Sequence, residues 1–301
     1  MKIGYPCINL SLQCRPSRTF RLRNYSENRL RETVENNLSC LETILEYNKD
    51  HGIRFFRITS DIIPFASHEV NTFAWQEYFR KGFRKIGVFI KRHGIRVSMH
   101  PDQFTLINSR DPLIFRRSLR ELQYHVSMFD LMHVPHSAKV QIHVGGVYND
   151  KQKSIARFIK RYKKLDNAIR RRLVIENDER SYSLFDCMLI HDAVGIPVVF
   201  DTLHHRLNNN GETIAQAMRL ATKTWRRSDG LPIVDYSTQQ PGSVLGKHAE
   251  AINMRHFRVF LDQTQAYDFD IMLEIKDKEK SARRALKIAA RDKRLRAMAD
   301  I

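Results

Sequence analysis

Ile95-Arg-Val-Ser-Met-His-Pro-Asp-Gln-Phe104 reads as a buried strand that stops abruptly. Ile95, Val97 and Met99 alternate with Arg96, Ser98 and His100, the period-two pattern of a pleated strand. Pro101 has no amide hydrogen to give a ladder, so the strand ends there. A histidine is therefore set at the C-terminal mouth of a strand, and a short loop tipped with Gln103 and Phe104 follows.

The segment before this strand is helical. Asn71 or Thr72 opens a run in which Phe79, Phe83, Ile86 and Ile90 keep helical spacing, and His93-Gly94 closes it. The preceding unit has the same build. Met1 to Cys7 is strand-like, and an arginine-rich loop runs to Asn24. Ser26 caps a long helix through Leu30, Val34, Leu38, Leu41 and Leu45, and Ile53 to Ile58 is the second strand. The tetrapeptide His-Gly-Ile-Arg marks both helix-to-strand junctions, at 51–54 and 93–96, and Ala193-Val-Gly-Ile-Pro197 repeats it loosely. Glycine accepts the left-handed conformation that follows a helix, and isoleucine starts a buried strand. Downstream, helices at about 113–133, 151–169, 184–194 and 212–224 alternate with strands at 139–143, 172–176, 196–201 and 231–235. A less regular segment leads to an eighth strand, 269–274, and a charged helix over about 278–298 closes the chain. Eight strands and about eight helices in 301 residues, with no Pro- or Gly-rich linker, predict an α/β chain of one domain, residues 1–301, closed as an all-parallel (β/α)8 barrel.

The formal charge is +18 and the pI near 9.9. So basic a balance points to a polyanionic partner, most simply nucleic acid, although basic runs such as Arg80 to Arg92 and Lys151 to Arg172 also read as solvated helix faces. The same charge argues against a sugar isomerase on this barrel, since a small neutral sugar needs no such field. No run of about 18 apolar residues is present, which argues against a membrane span. No signal-like segment precedes the first strand, and Cys7, Cys14, Cys40 and Cys187 are scattered without a Cys-x-x-Cys pair. These features predict a reducing compartment, a cytoplasmic and nucleoid-associated location, a monomer, and no cysteine zinc site.

In a parallel barrel every strand aims its C-terminus at one face, where the chemistry lies. The strand endings read His100, His143, Glu176, Asp201, Asp235 and Glu274, from the third strand to the eighth. His68 lies in the loop after the second strand, His204 three residues past Asp201, and His248 in the loop after the seventh. Several carboxylates converging on one cavity would repel one another and take up protons, and bound cations remove that cost. Mixed imidazole and carboxylate ligands suit zinc or manganese, and two or three such ions clamping a phosphate are the usual means of hydrolysing an unactivated phosphodiester. A DNA-binding protein without catalysis would need no such convergence. His51, His93, His125, His133, His136, His191 and His256 fit structural roles.

Phe65-Ala-Ser-His68, Met99-His-Pro-Asp-Gln103, Gln141-Ile-His-Val-Gly-Gly-Val-Tyr-Asn-Asp150, Val174-Ile-Glu-Asn-Asp178, Phe200-Asp-Thr-Leu-His204 and Met272-Leu-Glu-Ile-Lys-Asp-Lys-Glu279 resemble, in collinear order, the UV damage endonuclease family. The resemblance runs from Gly4 to about Lys280. It implies a TIM barrel related to endonuclease IV. It further implies a repair enzyme that nicks damaged double-stranded DNA immediately 5′ of cyclobutane dimers, 6-4 photoproducts and abasic sites, leaving a 3′-hydroxyl and a 5′-phosphate. Up to three divalent ions are implied, manganese first, with zinc, cobalt or magnesium as alternatives. A dedicated abasic-site endonuclease of the endonuclease IV type is the neighbouring reading.

By position, the resemblance assigns His68, His100, His143 and Glu176 to a first metal cluster, with Glu176 bridging to a second ion held by Asp201, His248 and Glu274. His204 and Asp235 would hold a third. Glu176, Glu274, His100 and His143 carry the catalytic role in this scheme. The family offers Lys-x-His at strand seven, the lysine carboxylated in some members, whereas this chain reads Ile233-Val-Asp235. The third site would then rest on fewer protein ligands and more water. Gln103 and Phe104 stand at the pair that probes the duplex, often Gln-Tyr in the family, so Phe104 keeps the stacking face and loses the hydroxyl; Tyr5 and Asn9 match positions beside flipped nucleotides, and Lys151, Lys276 and Lys278 are the implied phosphate contacts.

Overall fold

The computed structural model describes residues 1–295. Eight short strands form one closed parallel barrel in chain order: β1 (Ile3–Pro6), β2 (Phe55–Ile58), β3 (Arg96–Met99), β4 (Lys139–His143), β5 (Leu173–Glu176), β6 (Val198–Asp201), β7 (Ile233–Tyr236) and β8 (Asp270–Leu273). The chain is a single (β/α)8 TIM barrel, as the alternating pattern predicts.

The period-two alternation of each strand sorts its side chains between the barrel interior and the helix layer. Phe55, Val174, Val199, Ile233 and Met272 fill the middle of the interior as a separate apolar cluster. Ionic residues lie towards either end of the strands. On the N-terminal side Arg96 pairs with Asp270 at 2.8 Å and Lys139 with Asp229 at 2.6 Å. On the C-terminal side lies the acidic and imidazole set described below. The register places functional residues side by side, His143 against Glu176 and Asp201 against Asp235. Gly4 allows the closure between β1 and β2, since a Cβ there would stand 1.9 Å from the carbonyl oxygen of Phe55.

Helix ends follow local chemistry. Ser26 caps Glu27–Asp50 by accepting from the Arg29 amide, and Gly52 and Gly94 take φ of 69° and 58° beyond the helix ends at His51 and His93. Several elements differ from the sequence pattern. The helix expected from Asn71 is two pieces, Trp75–Tyr78 and Arg80–Arg92, meeting at Phe79. The expected 151–169 helix is Lys151–Tyr162 followed by Asn167–Arg172, with Leu165 buried in the turn between them. The segment before β8 contains a regular helix, Met254–Gln263, capped by Asn253. A short helix, Thr202–Leu207, starts directly from the end of β6 because the Asp201 carboxylate accepts from the His204 amide at 2.6 Å. The last helix is Glu279–Ala289, and the part expected beyond residue 295 lies outside the described residues.

The expectation of reduced thiols fails for one pair. Cys14, in the loop after β1, is bonded to Cys40 on the Glu27–Asp50 helix. Scatter along the sequence hid a contact made when that loop folds back over the helix. Cys7 and Cys187 are free. No helix among the described residues is long and apolar enough to cross a membrane.

Candidate metal centre

The C-terminal strand ends converge as their alternation requires. Among the described residues, three sets of ligand atoms lie close enough to share an ion: His100, His143 and Glu176; Glu176, Asp201 and His204; and Asp201, Asp235 and Glu274. Glu176 belongs to the first two and Asp201 to the last two, so the sets form a continuous chain across the mouth. Glu176 Oε2 is 3.2 Å from His100 Nε2 and 3.7 Å from His143 Nε2, and its Oε1 is 3.0 Å from His204 Nδ1. His248, from the loop after β7, brings Nε2 to 3.6 Å from Glu274 Oε2.

Nδ1 of His100 donates to the Pro101 carbonyl at 2.9 Å, which turns the ring so that Nε2 is the nitrogen that faces Glu176. Ser60 donates its hydroxyl to the His100 carbonyl at 3.0 Å, which steadies the strand end.

One cation is built in. Arg57, inward-facing on β2, places Nη2 at 2.9 and 2.8 Å from the two oxygens of Asp235, and its Nη1 donates to Glu274. Gln141 completes this floor. Its carbonyl accepts from Arg57 at 3.1 Å, and its amide donates to Glu176 at 2.5 Å and to Asp235 at 2.7 Å. Arg57 and Gln141 are the functional residues that motif reading missed. The signal for the first was present, because an arginine inside an apolar strand must have buried partners.

The electrostatics show how little this set tolerates isolation. Burial, with Glu176 and Glu274 nearby, pushes the Asp201 carboxyl up to about 7 against the pull of His204. Burial and the neighbouring carboxylates also push Asp235 up, against the pull of Arg57. Burial disfavours charge on His204, yet Asp201 and Glu176 overcome it and hold the imidazolium up to about 11. Burial would raise Glu274, but Arg57 and His248 bring it down to about 2. Four carboxylates face the Arg57 guanidinium and the His204 imidazolium here, so full ionisation leaves two uncompensated negative charges. Asp201 Oδ2, His143 Nδ1 and His248 Nδ1 are buried without a hydrogen-bond partner among the described residues. Buried polar atoms left in this state favour a ligand, and the donor set fits divalent ions.

The remaining expected residues divide. His68 is exposed in the loop after β2, accepts from the Val70 amide at 3.0 Å, and joins none of the three sets. His204 and Asp235, expected to share an ion, fall in different sets, because Arg57 draws Asp235 towards Glu274 while His204 sits over Glu176 and Asp201. Ile233 packs in the apolar layer below. Tyr5 is fully buried and faces outward, donating to Asn48 at 2.7 Å and accepting from Asn9 at 2.8 Å. Asn9 is 2% exposed, so strand and helix packing consumes both residues and neither reaches the rim surface. Gln103 and Phe104 do stand out on the rim, Phe104 at 72% exposure. Lys151 and Lys276 pair with Asp186 at 2.9 Å and Glu250 at 2.8 Å, while Lys278 precedes the last helix with φ of 52°. His125 is buried and structural, with Nδ1 donating to the Glu121 carbonyl at 2.7 Å.

Comparison with known proteins agrees with this geometry. The family model for UV-endonuclease UvdE matches residues 1–299. A UV DNA damage endonuclease of Clostridium perfringens is 39% identical over 284 residues, covering 94% of this chain and 69% of the relative. The crystal structure of SacUVDE superposes with a TM-score of 0.93 at 43% identity, covering 96% of this chain and 98% of the other. The fold alone is shared with endonuclease IV from Thermus thermophilus, at a TM-score of 0.58 and 15% identity over 96% of this chain and 97% of that one. A match along nearly the whole length, on a barrel whose mouth gathers these carboxylates and imidazoles, leads to one conclusion: the chain belongs to the UV-endonuclease UvdE family of DNA repair endonucleases.

Proposed function

We propose that this protein nicks duplex DNA immediately 5′ of UV photoproducts and of abasic sites, by divalent-metal-dependent hydrolysis that leaves a 3′-hydroxyl and a 5′-phosphate. The observation that carries this reading is the linked ligand chain from His100 to Glu274, with Glu176 and Asp201 each shared between two sets. His100, His143, Glu176, Asp201, His204, Asp235, His248 and Glu274 would hold the ions, Asp235 while still paired with Arg57, with manganese the first choice for this imidazole and carboxylate mixture. His68 would join them only if its loop moved inward. When bound, the ions neutralise the scissile phosphate, supply an activated water and stabilise the leaving oxygen.

The protein's own contribution is placement. The basic surface draws the duplex to the mouth. Gln103 and Phe104 fill the space opened at a lesion, where unstacking costs least, so damage is selected without reading sequence. Lys151, Lys276 and Lys278 offer contacts to flanking phosphates, the first two by exchanging carboxylate partners. Arg57 and Gln141 keep Asp235, Glu274 and Glu176 at fixed separations, so the ligand set does not spread when phosphate arrives.

The test is cleavage of a duplex carrying one cyclobutane dimer, beside an abasic duplex, with and without chelator, mapped to nucleotide resolution. Chelator-sensitive cleavage at the phosphodiester 5′ of the dimer supports the reading. Cleavage of the abasic duplex alone assigns the neighbouring activity, and cleavage that survives chelation removes the metal role.

A further inference from the structure

Among the described residues, the three most exposed large apolar side chains are Val244 at 78%, Leu245 at 74% and Phe104 at 72%. All three stand on the same end of the barrel. Phe104 is in the loop that leaves β3, and Val244 and Leu245 are in the loop that leaves β7. In a closed ring of eight strands taken in order, β3 and β7 are four places apart and so lie opposite each other. The two apolar tips therefore face across the mouth, with the metal-ligand sets between them.

The second tip is a braced finger. Gln239 and His248 form an antiparallel bridge, and the Gln240 amide donates to the Lys247 carbonyl at 2.8 Å. The Gln239 side chain fills the finger, accepting from the Gly246 amide at 2.8 Å and donating to the Val244 carbonyl at 2.9 Å. The base is fixed to the next loop, where the Lys276 amide donates to the Ala249 carbonyl at 3.1 Å. His248, at the foot of the finger, faces Glu274. A braced backbone thus holds two adjacent aliphatic side chains out in water at the mouth, where they are placed to meet what lies across it.

We propose that the Val244–Leu245 tip is a second wedge for duplex DNA, pressing into the helix on the side of the metal centre opposite Phe104. The proposal rests on the nuclease reading above. Duplex DNA is the occupant that the charges favour. Lys247 adjoins the tip, Arg206 is exposed on the Thr202–Leu207 helix that follows β6, and Arg180 is exposed on the loop after β5, where it pairs with Glu179, against which Gly246 packs. A second copy of a chain carrying +18 would be repelled. Aliphatic wedges unstack and kink DNA, and two of them flanking one phosphate would bend the duplex at the lesion and seat that phosphate over the ligand sets.

The test uses the full chain with manganese, and Val244→Ser with Leu245→Ser in one variant. A dimer-containing duplex labelled at both ends reports bending by energy transfer, anisotropy reports affinity, and sedimentation reports association. The expected result is a variant with unchanged melting temperature and manganese content, roughly ten- to hundredfold weaker binding to the lesion duplex, and a smaller bend. A variant that binds and bends the lesion duplex like the unmodified protein, while that protein nicks it, overturns the wedge and leaves the nuclease intact. Unmodified protein that neither binds nor nicks the duplex overturns both. A dimer of the unmodified protein that the double substitution dissolves overturns the wedge in favour of self-association.

Discussion

Arg57 grips Asp235 across the barrel through both carboxylate oxygens, at 2.9 and 2.8 Å, with both side chains almost wholly removed from solvent. The contact sets a permanent positive charge in a crowd of acids. Removing one partner of a buried pair costs about 3–5 kcal/mol. Arg57→Met is expected to lose that much stability in metal-free protein and less with saturating manganese, because added dications take over the compensation. Urea unfolding in the two conditions checks this, and equal losses would reduce Arg57 to a packing role. Arg57→Lys should recover little, since an ammonium cannot reach Asp235, Glu274 and Gln141 from one plane.

Glu176→Gln and Glu274→Gln separate chemistry from binding. Glu176 touches three imidazoles, and Glu274 links Arg57 to His248. Each amide variant is expected to nick at least about a hundredfold more slowly, a loss of about 2.7 kcal/mol in barrier terms, with damaged-duplex affinity nearly unchanged. Single-turnover nicking beside anisotropy measures both. Normal cleavage by both variants would remove the metal assignment.

Phe104→Ala should act on selection. The side chain stands clear of the fold, so its loss leaves the melting temperature in place. Affinity for damaged duplex should fall by about 1–3 kcal/mol, the usual worth of an aromatic stack on a base. Affinity for intact duplex, which is mostly ionic, should move less. Competition between the two duplexes reads the difference directly.

Bound ions should also show as stability. At about one hundred times its dissociation constant, each independent ion adds about 2.7 kcal/mol to the native state. Dialysis against chelator should lower the melting temperature, and manganese titrated back should restore it in steps that count the sites. A protein whose melting is indifferent to chelator would hold no ions of consequence.

Acid should weaken the fold through His125. Burial lowers this imidazole below its ordinary range, against the opposing pull of Glu121. The folded chain then resists a proton that the unfolded chain accepts near about 6.5. The unfolded state binds more protons as pH falls below that value, so stability declines on acidification and is recovered above it. His125→Gln should flatten the dependence of unfolding free energy on pH between about 5 and 7, at some cost in absolute stability.

Much of this was legible in the chain. His-Gly-Ile-Arg at 51–54 and 93–96 marks true helix-to-strand junctions, and the strands ending in His143, Glu176 and Asp201 stop within a residue or two of where their alternation says. Barrel closure follows from strand count, and convergence of the strand ends follows from closure. Pairing choice within the cluster was hidden. Whether Asp235 joins His204 or Arg57 depends on which side chain is long enough to cross the interior, and spacing along the sequence does not carry that distance. Tyr5 was misplaced for a related reason. Its parity on β1 turns it towards Asn48, and parity is set only when the barrel closes. The Cys14–Cys40 bond likewise depends on how a long irregular loop folds over a helix.

The apolar layer of Phe55, Val174, Val199, Ile233 and Met272 makes the barrel a blind well. The packed layer closes its base, so on the proposed reading ions and water would share a single doorway with the nucleic acid. If the proposed activity holds, a duplex lying across that doorway would trap whatever the well already contains, so ions would have to enter before the nucleic acid and exchange only after product leaves.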